Sequence, residues 1–481
     1  MIATSYKNLT PSTFQKLTNI ALSFLSNILI ILIFFTCSTG CKKPPLPSAP
    51  QGHFENMPMD VRDRILEQAP RAVAEYEPSE SVLVSDKIAK TMNLPYRALE
   101  AAILDTGVRL IIAGPDRTGR PWTSTQRTDL NVLNSYSIRT VRLNEDPDSI
   151  WARDWAPIMA KTIDGSGVLL DFNYISSRPK ADMYAQTLAS KVFVSAKRLS
   201  VPLYLEGGNF QINSQGYCIV TDRVIGDNAE RPLNMYAVDE KGIIVDGDLV
   251  STDSVGLDYA PGVAYQDVEG NWRLRTNERF YNEDQVRQIL KDYAGCQKTL
   301  IVPSMPNEPT RHVDVFLKFI NDETLLMAQL DAERIEGLAT GRQKEIAEKM
   351  LEHQQIVASM LEAEGFLVVV VPMPLPHIPV PESQDEVVVR SYVNALLIVS
   401  RNQKKTALVP SFSRGQHLPE DGSKAGTFSY PYVDESHIDA DETKVKQIFE
   451  SFGYEVKFIN ADWIVSDFGA IHCTTMQYPA L

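Results

Sequence analysis

The feature that most constrains this chain is a helical passage followed by a β-rich run, which recurs along most of its length. The clearest instances are 95–106 then 108–113, 182–199 then 202–205, 283–294 then 299–303, 342–364 then 366–372, and 441–453 then 454–459. A weaker passage, 124–133 then 138–143, makes six. Apolar spacing near 3.6 marks a helix and spacing of two, or a short apolar run, marks a strand, so the alternation predicts an α/β fold built from repeated units. The repeat is one of pattern and not of residue identity. It occupies so much of the 481 residues that one large domain is expected in place of several. Two stretches break the rhythm. Residues 226–280 hold turn residues and short apolar pieces, and 411–436 are rich in Gly, Ser, Pro and charge; both read as loop insertions over one face.

The N-terminus reads as a targeting segment and not as fold. Lys7 and Lys16 precede an apolar stretch, 20–35, that runs into Cys37, Ser38, Thr39, Gly40 and Cys41, followed by Lys42, Lys43 and a Pro-rich linker. Small residues ending in Gly-Cys after such a run resemble a bacterial lipoprotein cleavage site, with Cys41 lipidated, although Ser38 stands where Leu is usual. An uncleaved single anchor and ordinary secretion are the alternatives. All three give an extracytoplasmic address, and the first two hold the chain at a membrane through an N-terminal lipid or anchor. The organisation expected is therefore 1–41 signal, 42–70 linker and 71–481 a single domain carrying the insertion at about 226–280.

Cys218, Cys296 and Cys473 lie beyond that segment, so at least one thiol stays unpaired even where disulfides form. On count alone it reads as a small buried hydrophobe. Lys plus Arg is 47 against 61 Asp plus Glu, and the first 40 residues hold two lysines and no acid, which leaves −16 on the rest. That balance disfavours nucleic acid as a partner and favours cationic ligands.

Five of the six strand runs lead, soon or after a short stretch, into a polar cluster: Trp151, Arg153 and Asp154; Glu206, Gly207, Gly208 and Asn209; His312 and Asp314; Ser391, Tyr392 and Asn394; Ile471, His472 and Cys473. Clusters repeatedly placed at strand ends converge on one site if the units ring a common axis. Singly, each has a plain structural reading. Arg153 with Asp154 reads as a local ion pair, Glu206 with its two glycines as a turn, and Asn394 as a strand residue satisfying a turn. His312 and Asp314 are the most informative pair, because 311–319 alternates polar and apolar and so predicts a strand with both on one face. The inventory is one thiol, one histidine and three carboxylates, the wrong mix for a serine hydrolase. It suits attack on a planar cation: carboxylates clamp a guanidinium, a thiolate adds to its carbon, and histidine moves the protons.

From the run around Glu75, Tyr76, Glu77 and Pro78 to Cys473, the chain resembles the agmatine deiminase and bacterial peptidyl-arginine deiminase family of guanidine-modifying enzymes. Trp-x-Arg-Asp, Glu-Gly-Gly, His-x-Asp, Ser-Tyr-x-Asn and a near-terminal Ile-His-Cys occur here in the family's order. The resemblance implies a pentein-type five-bladed α/β propeller of pseudo-fivefold ββαβ units, with the site on its axis. It implies Cys473 as nucleophile, His312 as general acid and base, and Asp154, Asp314 and Glu206 as groups that hold the cation. Asn394, Trp151 and Arg153 would line the substrate pocket, and no cofactor is required. His472 is replaced in related branches and is left out of the proton transfers. Ala156 stands where the family often has Gly, and Asp467, Phe468 and Ala470 replace much of a glycine-rich lead-in; these bear on loop geometry and substrate shape.

The expected reaction is hydrolysis of agmatine, or of arginine in a peptide or protein, to N-carbamoylputrescine or citrulline with ammonia. Arg223 is a candidate to meet a substrate carboxylate, with an exposed structural arginine as the plainer reading. Two rival readings remain. One is a metal-dependent hydrolase using His312, Asp314, Asp154 and Glu206 as ligands. The other is a lipoprotein that binds cationic ligands without catalysis.

Overall fold

The repeat visible in the sequence is realised as five sheets with one shared strand order. The structure, a computed structural model, describes residues 59–90, 93–115, 140–174, 178–229, 236–237, 262–266, 272–276, 281–378, 387–412 and 433–480. In each repeat an antiparallel hairpin is followed by a helical crossover and a third strand parallel to the second. The parallel pairing explains the crossover, since two parallel neighbours cannot be joined by a tight turn.

The first repeat pairs Ile158–Lys161 with Gly167–Asn173 and, after helix Tyr184–Lys191, adds Lys197–Tyr204. In the second, Gln211–Ile212 and Tyr217–Thr221 precede helix Glu283–Ala294 and strand Lys298–Val302. The third joins Leu317–Phe319 and Thr324–Gln329 to Leu367–Pro372 through the 23-residue helix Gly341–Ala363. The fourth joins Leu396–Val399 and Lys405–Ser411 to Tyr454–Asn460 through helix Ile438–Ser451. The fifth is made by both chain ends. Thr475–Pro479 pairs antiparallel with Ser79–Ser85, and helix Asn93–Asp105 leads to Arg109–Ala113 and then Thr140–Leu143. Among the described residues the sheets remain separate, and none closes on itself.

Local chemistry sets these boundaries. Helix Glu283–Ala294 starts at a capping box, in which Asn282 and Gln285 each accept from the other's backbone N–H, and stops at Gly295, whose φ of 74° most side chains avoid. Strands sandwiched between helices and other sheets are apolar on both faces, as in Leu396–Val399, buried throughout. Pro202 interrupts a ladder without breaking it: the register between Gly167–Asn173 and Lys197–Tyr204 shifts beside it, where an N–H is missing.

Four expectations need correction. The helix expected over 182–199 ends at Lys191, because Phe193 N turns back to Leu188 O and the next strand has begun by Lys197. The run 311–319 is not one strand. Arg311 has φ 55°, Val313–Val315 is a 3₁₀ turn capped by His312, and the strand is only Leu317–Phe319. The polar and apolar alternation there arises because His312 and Asp314 face the site while Val313 and Phe316 enter the core. The insertion 226–280 is more than loop, since Tyr236–Ala237, Gly262–Gln266 and Trp272–Thr276 form a small antiparallel sheet. The linker 42–70 contains helix Met59–Leu66, with Ile65 buried in the core. Cys41, the rest of 1–58, the helix expected at 124–133 and 413–432 lie outside the described residues. Among the described residues, no helix is long and apolar enough to cross a membrane.

Cys218 and Cys296 form a disulfide that spans 78 residues and brackets the insertion. Among the described residues, Cys473 is left as the free thiol.

Candidate active site

Each connector that leads into the next repeat's first strand ends in a short turn, and that turn carries one of the five clusters. They are the helix Ala152–Trp155, the 3₁₀ turns Gly207–Asn209 and Val313–Val315, and the turns at 391–394 and 471–474. All five turns precede the next hairpin by a few residues, so the fivefold pattern delivers five sets of side chains to one place.

Gly208 marks that place. A Cβ on it would lie 2.6 Å from His312 Nδ1, 2.8 Å from Asp154 Oδ1 and 3.2 Å from Asp314 Oδ2, so only glycine leaves room for these groups to meet. Gly208 N donates to Asp154 Oδ1 at 3.2 Å. His312 Nδ1 is 3.7 Å from Asp154 Oδ1, and its Nε2 is 2.6 Å from Glu206 Oε2. Asp314 Oδ2 lies 3.6 Å from Cys473 Sγ, to which Asn394 Nδ2 donates at 3.2 Å. Asn394 Nδ2 also reaches the Asp314 carbonyl at 3.3 Å. Six of the eight residues singled out from sequence thus meet: Cys473, His312, Asp154, Asp314, Glu206 and Asn394.

The other two serve from behind. The Trp151 ring packs over Gly469, where a Cβ would meet its Cζ3 at 2.3 Å, so it shapes the wall beside Cys473. Arg153 turns away from the site. Its Nη1 pairs with Glu75 Oε1 at 2.9 Å, its Nη2 donates to Gln477 Oε1 at 2.5 Å, and its backbone N donates to Cys473 O. Its charge is spent on a buried partner, away from the groups that meet around Gly208.

Burial and mutual charge set the protonation states. Burial alone depresses the His312 imidazole, but Asp154 and the Glu206 hydrogen bond outweigh it and bring the pKa up to about 9. Asp154 is pushed up by burial and by Glu206 and Asp314, against the pull of His312. Burial also acts to raise Glu206, but Arg223 and His312 hold it below the usual carboxylate range. Asp314 is lowered, its burial outweighed by the hydrogen bond and charge of His472. The Cys473 thiol is raised well above its ordinary value by burial and then by Asp314 and Asp154. The resting site therefore holds a neutral thiol facing carboxylates, beside a protonated imidazole.

Glu75, Lys318 and Glu308 had been given no role from sequence, and Arg223 had been read as an exposed arginine or a partner for a substrate carboxylate. Arg223 is neither exposed nor free for a substrate: its Nη1 contacts Glu206 Oε2 at 2.9 Å, Thr310 O at 2.6 Å and His312 Nε2 at 2.8 Å, and its Nε pairs with Asp227 at 3.0 Å. Glu75 and Lys318, paired at 2.8 Å, sit behind Cys473. Lys318 was visible as a charge inside an apolar run, and Glu75 as part of a recognised stretch without a role. Glu308, buried four residues before His312, has an Oε2 with no hydrogen-bond partner.

Asp154, Glu206 and His312 also offer donor atoms within 4.8 Å of one another, the grouping a metal reading needs. Arg223 answers it, because its guanidinium already lies against both Glu206 and His312, so a dication there would face a fixed positive charge. The donor set does not suit a metal.

Comparison with known proteins agrees with this geometry. The sequence profile of the Porphyromonas-type peptidyl-arginine deiminase family matches residues 77–238 and 274–479. No curated protein matched the chain by sequence. Among solved structures, the agmatine deiminase of Enterococcus faecalis is similar with a TM-score of 0.55 at 16% identity, over 86% of this chain and 97% of that one. The C. jejuni agmatine deiminase with substrate bound gives 0.51 at 13% identity, over 85% and 96%. The profile match covers most of the chain and includes all five clusters, and the chain belongs to the Porphyromonas-type peptidyl-arginine deiminase family, hydrolases of carbon–nitrogen bonds.

Proposed function

We propose that the chain is an extracytoplasmic deiminase that hydrolyses a guanidinium group to a ureido group and ammonium through a covalent intermediate on Cys473. The observation that carries this reading is the meeting of His312, Asp154 and Asp314 around Gly208, with Cys473 Sγ 3.6 Å from Asp314 Oδ2. Asp154 and Asp314 clamp the cation, and Glu206 holds His312. The positive charge entering between the carboxylates and the thiol offsets the charges that keep Cys473 protonated, so substrate binding itself favours the thiolate. The thiol proton leaves to solvent as the cation binds, the thiolate adds to the guanidinium carbon, His312 gives its proton to the departing nitrogen, and a thiouronium remains on Cys473 as ammonia leaves. His312 then takes a proton from water as its oxygen adds to that carbon, and collapse frees the ureido product and the sulfur. The chemistry needs no metal or organic cofactor.

The substrate is agmatine or an arginine side chain, and the family and the similar solved structures carry both names. Glu308 favours agmatine. With Val315, Val389, Ser391, Asn394 and Phe468 it lines a pocket beside the thiol's partner Asn394, so the far end of the substrate meets an acid, while Arg223 is already engaged. An ammonium fits there better than a carboxylate. In this reading the five repeats form a five-bladed propeller about the site. The leader anchors the chain through Cys41, and the Cys218–Cys296 disulfide supports an oxidising compartment.

The test is ammonia release from agmatine, free arginine and a peptide ending in arginine, with mass spectrometry of protein quenched during turnover. Agmatine is expected to be fastest, with an adduct on Cys473 and a loss of at least about 10³-fold in Cys473→Ser. Near-normal turnover in that variant would sink the mechanism. Binding of agmatine with no ammonia over hours would return the chain to a cation-binding lipoprotein.

A further inference from the structure

His472 stands next to the nucleophile but has no part in the proton transfers above. Its ring is fully buried between two carboxylates: Nδ1 lies 2.6 Å from Asp314 Oδ2 and Nε2 lies 2.5 Å from Glu75 Oε1. Glu75 is in turn held by Lys318 at 2.8 Å and by Arg153 at 2.9 Å. Lys318 is fully buried and Arg153 nearly so. Such a network is costly to bury, since each ion loses its hydration, and packed hydrocarbon would serve stability as well. Its one outlet toward the reacting groups is Asp314. One oxygen of that carboxylate is tied to His472, and the other, Oδ1, is buried with no hydrogen-bond partner among the described residues.

We infer that His472 is a positioning residue: wedged between Glu75 and Asp314, it fixes the Asp314 carboxylate so that Oδ1 is presented to the substrate guanidinium. The inference rests on Asp314 acting as a clamp in the proposed reaction. Glu75, Lys318 and Arg153 form the mount, and His472 transmits their rigidity. Without it Asp314 can turn about its side-chain torsions toward Asn394 or the thiol, and the clamp loses its bite before the chemistry begins. The loss then falls on binding of the cation more than on later steps.

The experiment compares Glu75→Gln and His472→Gln with Asp314→Asn, measuring kcat and KM for agmatine across pH and the inhibition constant of millimolar guanidinium chloride, the smallest cation that fits the clamp. Glu75→Gln and His472→Gln are expected to raise KM and the guanidinium inhibition constant tenfold or more, with a smaller change in kcat. In His472→Gln the acid limb of kcat/KM should also move to higher pH, because Asp314 loses the neighbour that stabilises its ionised form. A purely structural role would lower the active fraction and leave KM and the acid limb in place, and that result overturns the inference. If His472→Gln does not fold, Glu75→Gln, which keeps the shape of the side chain, decides; the double variant E75Q/K318M, which removes both members of the buried pair, replaces it if needed. Wild-type KM in Asp314→Asn would instead overturn the clamp reading itself. Loss of binding in Asp314→Asn with wild-type constants in the other variants would remove only the role of His472.

Discussion

Arg223 is the side chain that separates the two acid–base partners of the site. Its guanidinium is the largest single influence holding Glu206 ionised against burial, and it also repels the His312 proton. Replacing it by Gln removes both effects, so Glu206 rises and His312 moves above its value of about 9. The basic limb of kcat/KM in Arg223→Gln is therefore expected at higher pH than in wild type, with peak activity at least tenfold lower because Glu206 no longer holds the ring firmly. A basic limb that stays where it was would show that Arg223 does not tune His312. Lysine is a poor substitute, since it cannot reach Glu206, Asp227 and the Thr310 carbonyl from one rigid fork. Sequence marked Arg223 only as an exposed arginine or a partner for a substrate carboxylate; this role was hidden because its partners Glu206 and Thr310 are 17 and 87 positions away.

At the scale of elements, the connectors carry the chemistry and the sheets hold them in place. Gly208 lies in the connector where tolerance is smallest. Ala at this position would press its methyl group on His312 and Asp154, groups that cannot retreat without leaving their partners. Gly208→Ala is expected to cost at least about 10²-fold in kcat/KM and about 1–3 kcal/mol in stability; wild-type kinetics in a folded Gly208→Ala protein would show that the floor of the site yields. Periodicity and caps made much of this level readable. Helix Glu283–Ala294 has both of its ends written in Asn282, Gln285 and Gly295, and the long helix Gly341–Ala363 is nearly coextensive with its apolar pattern. The order of the five motifs made the site readable as well. What escaped depends on distance or on turn geometry: the 3₁₀ turn at His312 mimics a strand's alternation over a few residues, the Cys218–Cys296 pairing joins positions 78 apart, and Tyr236–Ala237 inside 226–280 is too short to stand out from turns.

At the largest scale, Ser79–Ser85 pairs with Thr475–Pro479 from nearly 400 positions away, and Cys473 sits two residues before that second strand. Protons bound at the site are therefore linked to global unfolding. Groups raised by burial, Asp171 and Asp182 at about 7, contribute stability that is lost as pH rises from their unfolded values near 4 to about 7. His377, lowered to about 4 by burial and by Arg390, works the other way and gives its full contribution above its unfolded value of 6.5. From pH 7 upward the main remaining groups are His312 and, as pH nears the ordinary thiol value of 9.0, Cys473, whose raised thiol acts in the same direction. The folded pKa of His312, about 9, exceeds the unfolded 6.5, so its contribution is complete below 6.5 and is lost as pH climbs through 9. While that difference is one proton, unfolding free energy falls by about 1.4 kcal/mol per pH unit. Denaturant unfolding without reductant at pH 7, 8 and 9 is expected to show stability declining by roughly 2–3 kcal/mol across the series. Stability that holds level or rises over that interval would mean that His312 is not protonated in the folded resting protein, and the proton it gives to the leaving nitrogen would have to come from elsewhere.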